Sequence, residues 1–190
     1  MRLKLLLVLA AMTLSAQTGD APQFNSGDEL ALPKGYREWV YLSSGLGMTY
    51  GPAQSTDAAN PNFDNVFVKP SSYRAFLETG HWPDKTMFIL EIRRSHGKGS
   101  INNGGHYQGD VVSVEAAVKD ETRFPQKWAY INFGRGEKAK PLAATSSCNS
   151  CHSQNAAVEN TFVQFYPTLL DIATEKKTLN PPYVAKSAGQ

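Results

Sequence analysis

The chain has 190 residues, which is long enough to bury the core of one domain. Its 19 lysines and arginines nearly balance 17 aspartates and glutamates, for a formal net charge of +2. This balance gives no electrostatic argument for binding nucleic acid or an anionic membrane surface.

The first segment in chain order is typical of a secretory signal peptide. Arg2 and Lys4 precede the apolar run LLLVLAAMTL at residues 5–14, and small residues follow it. The run is shorter than the roughly 18 residues that a membrane-spanning helix needs. We therefore predict a signal peptide over residues 1–16 and a periplasmic protein without membrane attachment after cleavage. An uncleaved N-terminal anchor is the alternative.

The middle of the chain has the patterns of an antiparallel sheet that carries one short helix. Runs rich in β-branched and aromatic residues end at proline, glycine or asparagine turns, as strands do. SSYRAFLETG at 71–80 predicts a helix, because its apolar residues have helical spacing and Gly80 is a stop signal. The predicted strands are 65–70, 86–95, 106–120 and 128–134.

Helical patterns return in the last third of the chain. Residues 147–157 predict a short helix, and 166–177 predict a second one with Pro167 at its first position. The proline-rich tail from Thr178 is expected to be loose. The predicted fold class is α+β, mainly antiparallel β-sheet with a C-terminal helical segment, in a single domain over 17–190.

Both cysteines of the chain lie in SSCNSCHSQN at residues 146–155. Cys148 and Cys151 are one helical turn apart, and His152 follows directly, which is the attachment signature of c-type haem. In that chemistry the two thiols add to the porphyrin vinyl groups and the histidine binds the iron. We predict one haem c, attached covalently through Cys148 and Cys151, with His152 as the metal ligand.

Two other kinds of site use cysteines at this spacing. A zinc site needs more ligands, and His81, His96 and His106 lack ligand-like spacing. A redox-active disulfide belongs in a βαβ unit, at a helix start early in the domain. Here the motif lies near the C-terminal end of the chain and the predicted strands are antiparallel, so haem attachment is the favoured interpretation. The three histidines are expected in surface turns or strand ends.

The side of the iron away from His152 decides the function. Electron-transfer cytochromes c usually supply a methionine downstream of the motif. The methionines of this chain, at positions 1, 12, 48 and 87, all precede it. Met48 and Met87 are expected to pack in the core, and Met87 is the candidate that points into the sheet. We therefore expect an iron that is open to small molecules or capped by apolar side chains.

Several stretches of the chain resemble the cytochrome P-460 family, which includes the β-sheet cytochromes c′-beta. They are ELALPKGYREWVYL (29–42), VFVKPSSYRAFLETGHWPD (66–84), GDVVSVEAAVKDETRF (109–124), WAYINF (128–133) and CNSCHSQNAAVENTFVQFYPTL (148–169). The resemblance implies an antiparallel sheet packed on the haem, a five-coordinate iron and a homodimer. The four-helix cytochromes c′ fit less well, because β-rich runs stand where long amphipathic helices are needed.

Enzymes of this family look like hydroxylamine oxidases whose haem carries a cross-link to a lysine. By the resemblance, the position of that lysine falls at Leu90, and a leucine cannot supply the nitrogen. Lys85 lies nearby in sequence and is expected to be a solvated turn residue. The loss of the lysine makes the chain similar to the cytochromes c′-beta, which bind nitric oxide and carbon monoxide at an apolar distal face.

Candidates for the wall of the distal pocket come from the predicted strands. Phe88 and Leu90 share one face of their strand, and Phe67 or Phe133 is expected to complete an apolar cap with them. Ordinary sheet core is the alternative for each. Glu115 matches the family's acidic residue beside the pocket, which implies a possible catalytic role as a proton relay. A solvent-facing position is the alternative for Glu115.

Three functional hypotheses follow. The first is a mono-haem c-type protein that binds nitric oxide or a related nitrogen-oxide ligand for sensing, transport or detoxification. The second is a hydroxylamine oxidase that passes electrons to a soluble cytochrome. The third is a plain electron carrier with Met87 or a histidine as the sixth iron ligand.

Overall fold

A computed structural model describes residues 21–50 and 59–188 of the protein. The predicted signal peptide at 1–16 lies outside the described residues. The elements in chain order are β1 (Leu30–Ala31), β2 (Val40–Leu46), β3 (Phe63–Val68), α1 (Pro70–Thr79), β4 (Met87–His96), β5 (Tyr107–Lys119), β6 (Trp128–Gly134), β7 (Lys138–Ala139), α2 (Ser147–Asn155), α3 (Pro167–Glu175) and α4 (Pro181–Ser187). Short 3-10 turns precede β2 and α3.

Strands β2 to β6 form the main sheet, in the spatial order β2-β3-β4-β5-β6. Each strand pairs antiparallel with its neighbour in the chain. Strands β1 and β7 form a separate antiparallel pair. The predicted α+β class with an antiparallel sheet and C-terminal helices is therefore confirmed. Within the described ranges, every helix is too short or too polar to cross a membrane.

The tail after Thr178 is more ordered than its proline content predicts. Asn180 precedes α4, and its side-chain amide donates to the carbonyl oxygens of Ala156 and Glu159, at 2.8 Å each. Its backbone N–H donates to the carbonyl of Ala157. The tail is therefore bound to the segment that follows α2, and the prediction of a loose tail is wrong.

Gly80 ends α1 in the way that the sequence predicts. It has a left-handed φ of 73°, and its N–H donates to the carbonyl oxygen of Phe76 at 2.7 Å. A Cβ at this position would lie 2.7 Å from Cβ of Lys176. The glycine therefore allows both the turn and the close approach of the chain after α3.

The main sheet separates two cores. The helical side of the sheet packs against α1, α3 and the segment between α2 and α3, and we call this cluster the helical-side core. Its buried residues are Leu42, Val68, Phe76, Trp82, Phe88, Trp128, Ala157, Val158, Val163, Tyr166, Leu169 and Ala173. The opposite face packs against the N-terminal segment to form the N-terminal-side core. Its buried residues are Leu30, Tyr36, Met87, Ile89, Val114, Ala116, Val118, Ala129, Ile131 and Phe133.

Candidate functional site

Helix α2 presents the two thiols. Cys148 and Cys151 are free and half-buried, and they stand three residues apart on one helix. Residues at that spacing are neighbours on a helix surface, so both thiols are offered on the same side. Burial raises the pKa of the Cys148 thiol, and the nearby charge of Glu115 raises it further. Helix α2 itself buries no residue fully, so its thiols remain accessible to a cofactor.

The His152 ring is held in one orientation. It lies between the rings of Tyr130 and Phe162, with centroid distances of 4.2 Å to each. Its Nδ1 is 2.8 Å from the carbonyl oxygen of Asn160. A carbonyl only accepts hydrogen bonds, so Nδ1 carries the proton and Nε2 keeps a lone pair. Burial lowers the pKa of His152 to about 4 although the bond to Asn160 opposes this, and the imidazole is neutral at pH 7.

These side chains fit a c-type haem. The thiols lie on one side of a helix, and a neutral imidazole with a free Nε2 is the form that binds iron. A zinc site finds less support: among residues 21–50 and 59–188, no group of three or more histidine, cysteine or acidic side chains is placed to hold a metal ion.

Leu90 and Glu115 lie on the same face of the sheet as the side chain that contacts His152. In the strand register, Leu90 is opposite Val66 on one side and Glu115 on the other, and Glu115 is opposite Asn132. Directly opposed residues project to the same face, and residues two apart along a strand share that face. Tyr130, two residues before Asn132, contacts the His152 ring. The two predicted residues therefore face the His152 side of the sheet.

The structure does not bring Phe67 or Phe133 to this site, which corrects the expected apolar cap. Phe133 belongs to the N-terminal-side core, and Phe67 is partly buried against it, on the other face of the sheet. Phe67 directly precedes Val68 and Phe133 directly follows Asn132, and odd spacing along a strand reverses the face. Phe88 shares the face of Leu90 but is buried in the helical-side core, with its ring centroid 4.7 Å from that of Trp82.

Asp64 is a second carboxylate on the face of Glu115, and the sequence reasoning missed it. The Asn132 side chain donates to Glu115 at 3.1 Å, and burial raises the Glu115 pKa. Burial and the charge of Glu115 raise the pKa of Asp64 to about 6. The alternation of FDNVFV at 63–68 was the available signal, because it places Asp64 on the face of Val66.

Of the two methionines in the predicted mature chain, Met48 is the one on the site's side. Its Sδ packs against Gly45, which is opposite Asp64 in the register. The same sulfur accepts a hydrogen bond from the Tyr50 hydroxyl at 3.9 Å. The Tyr50 ring stacks on Phe162, which packs on His152. Met87 is 1% exposed in the N-terminal-side core. The sheet thus separates Met87 from His152.

The remaining candidates are engaged elsewhere. His81 is exposed and lies 3.5 Å from the Glu159 carboxylate. The rings of His96 and Tyr107 pack together, and His106 is within hydrogen-bond distance of Ser95. The Lys85 amine donates to Asp120 and to Thr122.

Comparison with models of known protein families identifies the family of the chain. A family model described as Cytochrome P460 matches residues 33–163, which is well over half of the chain. The matched span includes all strands of the main sheet and helix α2. A search of the curated proteins found no match.

Proposed function

Because the chain belongs to the cytochrome P460 family and is thereby a haem-binding cytochrome, we propose that it is a periplasmic mono-haem c-type protein that binds nitric oxide. In this proposal the haem is attached through Cys148 and Cys151. His152 would hold the iron through Nε2, and the bound cofactor would take up a small nitrogen-oxide ligand. The cofactor supplies an iron atom that takes up such ligands.

The main observation in support of the proposal is the position of Leu90 in the sheet. It lies between Val66 and Glu115 on the His152 side of the sheet, where the resemblance puts the cross-linking lysine of the oxidases. Neither the Leu90 nor the Val66 side chain has a nitrogen that could attach to a porphyrin, and the Lys85 amine donates to Asp120. The apolar Leu90 and Val66 side chains favour neutral diatomic ligands over charged ones, because they offer a charge no compensating hydrogen bond.

The proposal is tested by absorption spectra and an intact mass of the purified protein. We expect a high-spin ferric spectrum, uptake of nitric oxide and carbon monoxide by the reduced protein, and a mass equal to chain plus haem. Replacing Met48 or Met87 by leucine is expected to leave the ferric spectrum unchanged. A low-spin spectrum that becomes high-spin only in Met48→Leu would instead identify an electron carrier. A mass two hydrogens lower would show a lysine cross-link and favour an oxidase.

Two acidic groups favour hydroxylamine oxidation as the second candidate. Glu115 and Asp64 share the face of Leu90, and both have raised pKa values. A carboxyl group with a pKa near the working pH is suited to take a proton from a bound substrate. In this case a soluble cytochrome would receive the electrons.

Glu115→Gln is the variant that tests the second candidate. If the protein oxidises hydroxylamine, we expect the variant to lose about 10²- to 10⁴-fold in turnover, because a general base contributes that much. The pKa of Asp64 should also fall, since the charge of Glu115 helps to raise it. Asp110→Asn, an exposed change on the same strand, is the control and should keep full turnover. Equal turnover in both variants would remove Glu115 from the mechanism.

The proposal also includes the quaternary state, a homodimer. The resemblance implies a homodimer, and β2 and β6 are the two edges of the main sheet. Sedimentation of the holoprotein measures the state directly.

A further inference from the structure

The carbonyl group that accepts the His152 hydrogen bond belongs to a tight turn over residues 158–161. Val158 and Thr161 exchange backbone hydrogen bonds across this turn, at 2.9 and 3.3 Å. Glu159 has a φ of 50°, a left-handed conformation that is uncommon for a residue with a side chain. Such a conformation persists where surrounding contacts hold it. The position of the Asn160 carbonyl therefore depends on what holds Glu159.

Glu159 is held by contacts from three separate parts of the chain. Its carboxylate accepts hydrogen bonds from Lys119 Nζ at 3.0 Å and from the backbone N–H of Trp82 at 3.2 Å. His81 approaches the same carboxylate at 3.5 Å. The side chain of Asn180 binds both the N–H and the carbonyl of Glu159, at 3.2 and 2.8 Å. Together these contacts tie the turn to the end of β5, to the α1–β4 connection and to the start of α4.

Lys119 supplies a largely buried ion pair to Glu159. Its side chain is 9% exposed, and its amine also donates to the backbone carbonyl of Trp82 at 2.6 Å. The indole N–H of Trp82 in turn donates to the hydroxyl of Thr161, the last residue of the turn, at 2.9 Å. Lys119 and Trp82 thus hold the turn on both sides of Asn160.

We propose that Glu159, through its ion pair with Lys119, is a positioning residue that fixes the Asn160 carbonyl at Nδ1 of His152 and so sets how strongly the imidazole donates to iron. This rests on the proposed role of His152 as the axial ligand. A hydrogen bond from Nδ1–H to a carbonyl raises the basicity of the other ring nitrogen. A stronger donor stabilises ferric over ferrous iron and lowers the reduction potential.

The test compares Glu159→Gln with Glu121→Gln in the holoprotein. Glu121 is a matched control, because its carboxylate also approaches Lys119, at 3.4 Å, without contacting the turn. Glutamine at 159 keeps an acceptor for Trp82 but loses the ion pair. We expect Glu159→Gln to lower the iron–imidazole stretching frequency in resonance Raman spectra and to raise the midpoint potential. Glu121→Gln should match the unmodified protein in both.

The outcomes separate this inference from the proposed function. If both variants keep the frequency and potential of the unmodified protein, or shift equally, the positioning role of Glu159 is overturned while His152 remains the ligand. If the unmodified protein shows no iron–imidazole band, the proposed function itself fails. Should Glu159→Gln not fold, the double variant Lys119→Met with Glu159→Gln carries the same expectations. It leaves no buried charge unpaired.

Discussion

Replacing Cys148 and Cys151 together with serine is expected to give a protein that retains no haem after extraction with acidified organic solvent. The unmodified protein should keep its haem under the same treatment, because two carbon–sulfur bonds survive the loss of the folded structure. Both thiols are free and half-buried on α2, on the same side of the helix. Each single serine variant should keep one thioether, and the absorption band of its haemochrome should differ from that of the unmodified protein. Absorbance of the chain after denaturing electrophoresis measures the outcome.

The control for the thiol variants lies in the same motif. Ser150 is exposed and its hydroxyl donates within α2, to the carbonyl of Ser147 at 3.0 Å. Ser150→Ala should retain all of the covalently bound haem. Extraction of the haem from the unmodified protein would contradict covalent attachment and leave a non-covalent haem held by His152.

Glu91→Ala is expected to lower the free energy of unfolding by about 3–5 kcal/mol, the usual result of breaking a buried ion pair from one side. Glu91 is 2% exposed and lies on the face of the sheet that forms the N-terminal-side core. Its carboxylate accepts hydrogen bonds from the Tyr36 hydroxyl, from Arg37 Nε at 2.8 Å and from Arg93. The loss is measured by denaturant unfolding. Glu78→Ala, an exposed glutamate on α1, is the control and should stay within about 0.5 kcal/mol.

The same cluster predicts how stability depends on pH. Burial alone would raise the Glu91 pKa, but hydrogen bonds from Arg93, Tyr36 and Arg37 outweigh it and lower the pKa. The folded-state pKa then lies below the unfolded value of about 4.3. This stabilisation is complete above the unfolded pKa and is lost as the pH falls towards the folded one. The difference between the unmodified protein and Glu91→Ala should therefore shrink below about pH 4. A constant difference across that range would contradict the role assigned to the carboxylate.

Local patterns predicted most of the elements. The strands at 86–95 and 128–134 match β4 and β6 within one residue, because alternation of apolar residues is readable over a few positions. Strand β2 was not predicted, since its glycine and serine residues have low strand propensity. Its pairing with β3 decides its conformation instead. Helix α4 was missed although Asn180 followed by Pro181 is a helix-start signal, because the proline content of the tail was taken to indicate a loose segment.

The amino-acid sequence alone is enough to predict the Cys-x-x-Cys-His motif as a candidate haem site, the α+β class and which residues of each strand share a face. Packing between distant elements determines which face meets His152. It places Leu90 and Glu115 on that face, and Phe67, Phe133 and Met87 on the opposite one. The reason is that alternation along a strand is a local property, whereas the choice of covered face depends on elements distant in the chain. The hydrogen bond from His152 to the Asn160 carbonyl could not be predicted, because every residue type has a backbone carbonyl group.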